Sequence, residues 1–341
     1  YYGEDIMERV FQTLEQTMNK SSITQFRKFV NKYSDVTKWF ICSDYCLDDK
    51  NKPNNVISFV IYPYIIDFNE WDSVIKSMQK TDLKNSRSVS KDFCSFIKEG
   101  YFFSFNFILE KNCILEKWKD KTTMDKAIEE YIEMQEQWQK TTPKNAESYK
   151  NTEKLLRELQ NQSKKKSFNY KLLGRIFEIS FLASYLKYLL YREVEKIEIF
   201  SWLSDRDAIT SWNHGIYKEF YHIISHCLIS NTLGLDKANS VEELTLLDPE
   251  NYTSFDAVNR VADFICGGIA DFNYVDGSVS GNKQCQLMED AISDNDYLII
   301  LKISEKDIAR VEHRKYISKK MTEWSRYKQM LRGNYFIDVI L

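Results

Sequence analysis

Carboxylates stand where the apolar runs of this chain end. "KWFICSD" delivers Asp44, "YFFSFNFILE" delivers Glu110, and "IEIFSWLSDRD" delivers Asp205, followed by Arg206 and Asp207. A fourth acid, Asp263, sits inside the small, apolar run "VADFICGGIA". Burying an unpaired carboxylate is costly, so an acid flanked by Val261, Ala262, Phe264 and Ile265 needs a cation, a donor or a metal beside it. Carboxylates converging from neighbouring strands and one packed helix suit Mg²⁺ or Mn²⁺, because hard divalent ions take oxygen ligands. Two such ions about 4 Å apart activate water and stabilise the leaving oxygen in phosphodiester cleavage. Each acid also has a plainer reading. Aspartate after a strand often serves a turn or caps a helix, and capping of the next helix is the expected role of Asp207. A strand-end glutamate such as Glu110, followed by Lys111, is usually solvated.

Other reactive groups are less well arranged. His222 and His226 are four apart, with Cys227 adjoining, but the run is His-Ile-Ile-Ser-His and lacks the glutamate of a zinc protease helix. His214 follows the Asp-Arg-Asp turn, where it could meet a phosphate or a leaving group. The polar loop "TDLKNSR" supplies Asp82 and Lys84. No phosphate-binding glycine loop and no Gly-x-Ser-x-Gly elbow occurs. The run Lys164–Lys166 reads as a solvated hinge, and the aromatics of 101–110 as core rather than a base-stacking platform.

The elements that must hold these groups form an α/β pattern. Helices are expected over 4–18 and 23–33. Strands are expected at 36–49 and 56–66, paired as a hairpin with the tip "DDKNKPNN", and at 101–110. Short helices are expected near 70–79 and 89–98. Long, highly charged helices at 123–140 and 145–162 read as a helical hairpin projecting from the core, followed by an apolar helix at 169–193. An interior strand at 196–203, beside the strand of Asp44, precedes a helix at 209–230. Helix 253–270 carries Asp263, with Gly267 and Gly268 suited to close approach of a neighbour. A helix at 284–292, a strand at 297–303 and two helical stretches complete the reading.

Composition sets the outer bounds. The chain has 341 residues and a formal net charge of −3, which excludes a wholly basic nucleic-acid binder while permitting a local basic groove. No apolar run reaches the roughly 18 residues that span a bilayer: "FEISFLASYLKYLLYREV" is interrupted by Glu178, Lys187 and Arg192. The first residues contain acids and no apolar signal core. Seven scattered cysteines without a Cys-x-x-Cys pair fit a reducing, cytoplasmic setting.

In order and spacing, these motifs resemble an RNase H-like family of uncharacterised bacterial proteins. Its members open with a strand and Asp-Glu-Ser-Gly, then show a Glu-hydrophobic-Lys loop, a strand ending in Asp-Arg, and a helix with an Ala-Asp core. Here "CSDYC" keeps Asp44 without the Glu-Ser-Gly, and "TDLKNSR" offers Asp82 for the acid and Lys84 for the lysine. "LSDRD" gives Asp205 and Arg206, and "VADFICGG" gives Asp263, so element order agrees over residues 36–270. The resemblance implies an RNase H-like mixed sheet flanked by helices, with a helical insertion and a C-terminal extension. The implied segments are N-terminal helices (1–35), a first core half (36–110), an insertion (111–168), a second core half (169–275) and an α/β extension (276–341). It further implies a nuclease using Mg²⁺ or Mn²⁺, ligated by Asp44, Asp205 and Asp263 and completed by Glu110 or Asp82. Lys84 and Arg206 would steady the scissile phosphate, with His214 near the substrate. The implied partner is DNA or RNA, with a protein partner on the helical insertion as a further expectation and no membrane. The missing Glu-Ser-Gly leaves open a degenerate domain that binds nucleic acid or protein without cutting.

Overall fold

A computed structural model describes residues 2–204, 208–244, 255–315 and 335–340. The helices are α1 (Tyr2–Ser21), α2 (Ile23–Lys32), α3 (Phe68–Met78), α4 (Lys91–Lys98), α5 (Lys121–Thr141), α6 (Ala146–Ser163) and α7 (Tyr170–Glu193). They continue with α8 (Ala208–Ser211), α9 (Tyr217–Leu233), α10 (Leu235–Asn239), α11 (Phe255–Asp271) and α12 (Asn282–Gln286). The strands are β1 (Lys38–Cys46), β2 (Asn55–Pro63), β3 (Phe103–Leu109), β4 (Ile199–Ser204), β5 (Glu242–Glu243), β6 (Leu298–Ile303), β7 (Ile308–Lys315) and β8 (Tyr335–Ile340). The chain divides into two compact units. A sheet unit takes Glu15–Glu110, Val194–Asp205 and Val241–Leu341; a helical unit takes Tyr1–Leu14, Lys111–Glu193 and Arg206–Ser240.

The sheet unit is an α/β fold. Its strands run in the order β5-β4-β1-β2-β3-β6-β7-β8. The meander β1-β2-β3 is antiparallel, β4 lies parallel to β1, and β5 is parallel to β4. On the other side β6 is parallel to β3, while β7 and β8 are antiparallel to their neighbours. Side chains alternate along a strand, so each strand feeds two cores. Phe40, Cys42, Val56, Val60, Tyr62 and Ile108 share one buried cluster with Trp71 and Ile75 of α3, Phe93 of α4 and Val261 and Phe264 of α11. On the other face Phe26 and Phe29 of α2 meet Phe103 at ring separations of 5.3 and 5.4 Å. This double cover accounts for the aromatic density of "YFFSFNFILE": those rings are core, as expected.

The β1-β2 hairpin and the interior strand beside β1 follow the sequence reading. Two other regions do not. The single helix expected at 209–230 is broken, because Asn213, His214 and Gly215 adopt φ of 46°, 59° and 76°, a left-handed run that ends one helix before α9 begins. Of the tail expected as two helical stretches, Ile308–Lys315 and Tyr335–Ile340 form β7 and β8 instead, and residues 316–334 lie outside the described residues. "IARVEHRK" carries too many charges to look like a strand, yet pairing with β6 overrides that composition, and the buried Arg310 donates from its two Nη groups to Ser21 O and Gln25 Oε1.

The helical unit has its own core. Helices α5 and α6 pair as expected, with Gln139 Nε2 donating to Glu153 Oε2 at 2.7 Å and Arg157 bridging to Glu136. The pair does not stand apart, however. Its apolar stripe, Met124, Ile128 and Tyr131 on α5 with Leu156 and Leu159 on α6, is buried. Helix α7 is apolar nearly all round and is buried from Leu173 to Tyr191, its Arg175, Glu178 and Lys187 included, and it packs on α9. Phe177 joins the group by ring contacts with Trp118 (5.0 Å) and Phe220 (5.4 Å). The segment 111–168 therefore shares one compact unit with 170–193 rather than forming a separate one. Among the described residues, no helix is long and apolar enough to cross a membrane.

Candidate functional site

Asp44 sits near the exit of β1, half-buried, on the face covered by α11. Across the sheet it is in register with Ser58 of β2, and Ser58 with Asn106 of β3. Ser58 and Asn106 are fully buried and satisfy one another: Ser58 Oγ donates to Asn106 Oδ1 at 2.7 Å, while Asn106 Nδ2 donates to Ser104 Oγ and Ile299 O at 3.0 and 3.1 Å. A polar row thus crosses the sheet from Asn106 through Ser58 to the register position of Asp44.

Above this row lies α11. Asp263 and Cys266 are three apart and so share a helix face. The Cys266 thiol reaches Val56 O at 3.6 Å. Its pKa is raised well above the ordinary thiol value, first by burial, then by the Asp44 carboxylate and Cys46, with a further push from Asp263 against a hydrogen bond from Ser58. Two carboxylates, one from β1 and one from α11, therefore add negative potential at the same buried thiol. The neighbouring Cys46 thiol is pushed up to about 11, by burial first and then by Asp49, with Lys52 opposing and Asp44 adding to the rise.

A loop closes over Asp263. Its Oδ2 accepts the Leu83 N–H at 2.7 Å. A Cβ at Gly267 would overlap Leu83 Cδ2, so the glycine lets the loop lie on the helix, the close approach expected of it. Lys283 pins the loop from the other side, donating to Leu83 O and Ser86 O at 2.7 and 2.9 Å. Asp82 is exposed and holds the turn by accepting from Asn85 N at 3.0 Å. Lys84 and Arg87 are exposed on the same loop. Behind it, Arg260 Nη1 donates to Gln79 O at 2.6 Å; burial lowers its pKa, and Asp72, Asp82 and Asp263 oppose that shift.

The remaining expected residues fall elsewhere. Glu110 is bound to Lys302 at 2.5 Å, with both side chains 41% exposed. It lies two strands across and four residues along from the Asp44 row, roughly 16 Å away by strand spacing and rise. Glu110 is thus not a ligand partner of Asp44: the strand carries it past the covered part of the sheet into solvent. His214 is exposed, in the helical unit. Asp205, Arg206 and Asp207 lie outside the described residues; β4 is described as far as Ser204, in register with Ser43, the residue before Asp44. His226 packs on Trp138 at 5.0 Å, and its pKa is lowered by burial and then by Lys187. Among the described residues no group of three His, Cys, Asp or Glu side chains is placed to hold a metal ion.

Sequence reasoning passed over Cys266, Ser58, Asn106 and Lys283. Cys266 had a readable signal, its three-residue spacing from Asp263. Lys283 had none, because only the tertiary fold brings it to residues 83–86. No family model matches this chain, and no curated protein or solved structure shows significant similarity to it.

Proposed function

We propose that the sheet unit is a metal-dependent nuclease of RNase H-like architecture, cleaving phosphodiester bonds of DNA or RNA. The observation that carries this reading is that Asp44 of β1 and Asp263 of α11 both add negative potential at the buried Cys266 thiol, with α11 packed on β1. The donor chemistry fits Mg²⁺ or Mn²⁺: both groups are hard oxygen donors, while burial first and the carboxylates second raise the Cys266 thiol pKa and make it a poor soft ligand. The strand order gives further support: three antiparallel strands, two strands added parallel to β1, and an acid-bearing helix after β5 that returns to pack on β1.

In this reading Asp44 and Asp263 hold the cation, joined by Asp205, which follows the residue registered with Ser43. A bound Mg²⁺ or Mn²⁺ supplies water activation and charge neutralisation at the phosphate. The chain supplies position. Leu83 N–H and Lys283 fix the loop against α11, so the exposed Lys84 and Arg87 meet a phosphate from one side. The seven free thiols suit a cytoplasmic protein.

One observation favours a second reading, a non-catalytic domain that binds nucleic acid or a protein partner, the latter through α5 and α6. Asp263 already has a structural use in holding Leu83 N–H. Titration calorimetry with Mn²⁺, together with cleavage assays on end-labelled single- and double-stranded DNA and RNA, separates the two. The nuclease reading expects Mn²⁺ binding and cleavage that are both lost in Asp44→Asn and in Asp263→Asn while the fold remains. A wild-type chain that binds neither Mn²⁺ nor Mg²⁺ and cuts none of the four substrates would sink it.

A further inference from the structure

The helical unit carries a partly open cavity of about 500 Å³. Pockets that hold small molecules run from about 300 to 1,000 Å³, so this one is of ligand size. Its walls come from α1, α5, α7, α9 and the short turn at 114–119, all within one unit. Three of its rings form a continuous aromatic wall: Phe177 meets Trp118 at 5.0 Å, nearly edge-on, and Tyr131 at 6.1 Å, nearly parallel. Met7 and Met134 add flexible, polarizable surface that adapts to an irregular apolar body. Among the described lining residues just two carry formal charge, Glu8 and Glu130, and both are acids. Glu130 also faces Lys126 at 3.8 Å, a partly exposed pair that solvent screens.

Aromatic faces and carboxylates favour the same kind of guest. Ring quadrupoles attract ammonium groups, most strongly where water is excluded, and carboxylates attract them by charge. An anionic amphiphile would meet repulsion from both acids. We infer that this cavity is a binding site for an organic cation: an ammonium or quaternary ammonium head with an apolar body, the head near Glu130 and the body against Phe11, Phe177 and Leu228. This assignment is independent of the carboxylate site in the sheet unit.

Isothermal titration of the full chain with octyltrimethylammonium, octanol and octanoate isolates the role of the head group, because the tails match. We expect one site per chain, with the cation bound at least about tenfold more tightly than either other probe. Glu130→Gln should bring the cation to the affinity of octanol and leave octanol unchanged. Ala127→Trp should close the cavity to every probe. Thr232→Trp, from the exposed rim, repeats that closure should the buried substitution disturb folding, and the helical circular dichroism signal reports which variants fold. Equal affinities for the three probes would overturn the assignment. So would no cation binding to the wild-type chain, or cation binding that survives in a folded tryptophan variant.

Discussion

Two acid sites, one in each unit, differ in what their carboxylates do. In the helical unit Glu178 is wholly buried, yet Arg175 Nη1 lies 2.8 Å from one oxygen and Lys119 Nζ 3.5 Å from the other, with Arg175 also 3.6 Å from Glu116. Acid and base alternate in a closed network. In the sheet unit Asp44 and Asp263 are only half-buried, and both load negative potential onto the same thiol. The first arrangement serves architecture, since its charges are neutralised by the protein itself. The second loads one thiol with the potential of two half-buried acids, the feature on which the proposed cation site rests.

The largest effect should come from breaking the closed network. Removing one member of a buried ion pair costs about 3–5 kcal/mol, because the partners keep their desolvation penalty without the attraction. Glu178→Ala should lose that much in urea unfolding, since Arg175 and Lys119 are nearly inaccessible. Glu178→Gln should lose distinctly less, because burial already raises the Glu178 pKa against the pull of Arg175 and Lys119. Neither change should alter Mn²⁺ binding by the sheet unit. Equal and small losses for both variants would show that the network is not holding the helices.

Acidification should separate the two units. His313 in β7 is buried against Phe272, ring to ring at 4.7 Å, and burial depresses its pKa to about 4. The unfolded chain then binds more protons than the folded one between about pH 4 and the ordinary imidazole value near 6.5. Stability from this group is complete above that ordinary value and is lost as pH falls through it towards 4, up to about 3 kcal/mol in all. Glu178 runs the other way. Its raised pKa contributes stability below the unfolded carboxyl value, which is lost as pH rises through the folded one. Hydrogen exchange at pH 5 should show the sheet unit weakening before the helical unit, and His313→Phe should remove that difference. An unchanged order in the variant would assign the acid sensitivity to another group.

This contrast also explains what the sequence made legible. The β1-β2 hairpin, the interior β4 and the helix of Asp263 were readable because local pattern and tertiary role agree there. Gly267 was readable as a close-approach residue because a glycine costs a helix stability and must return something. The kink at Asn213–Gly215 and the strands of the tail were not, since left-handed backbone and edge pairing of a charged segment depend on neighbours distant in sequence. Within the site, Asp44 and Asp263 were found as acids at strand exit and packed helix. The polar row through Ser58 and Asn106 stayed hidden, because two small polar residues in apolar strands carry no signal until register aligns them.

The smallest expected effect tests where the proposed site ends. Glu110 shares a strand end and an acid with the pattern that singled out Asp44, yet it is paired with Lys302 in solvent. An exposed pair of this kind is worth about 0–1 kcal/mol, since water screens both charges and ordering two long side chains offsets the attraction. Glu110→Gln should therefore shift the unfolding midpoint barely at all. It should also leave Mn²⁺ affinity unchanged, because a carboxylate some 16 Å from the Asp44 row cannot join its coordination sphere, where ligand distances are about 2 Å. Asp44→Asn, made alongside, fixes the scale of a true loss. If Glu110→Gln weakens Mn²⁺ binding as much as Asp44→Asn does, the cation sits towards β3 and β6 instead, and the negative potential at Cys266 marks packing rather than a metal centre.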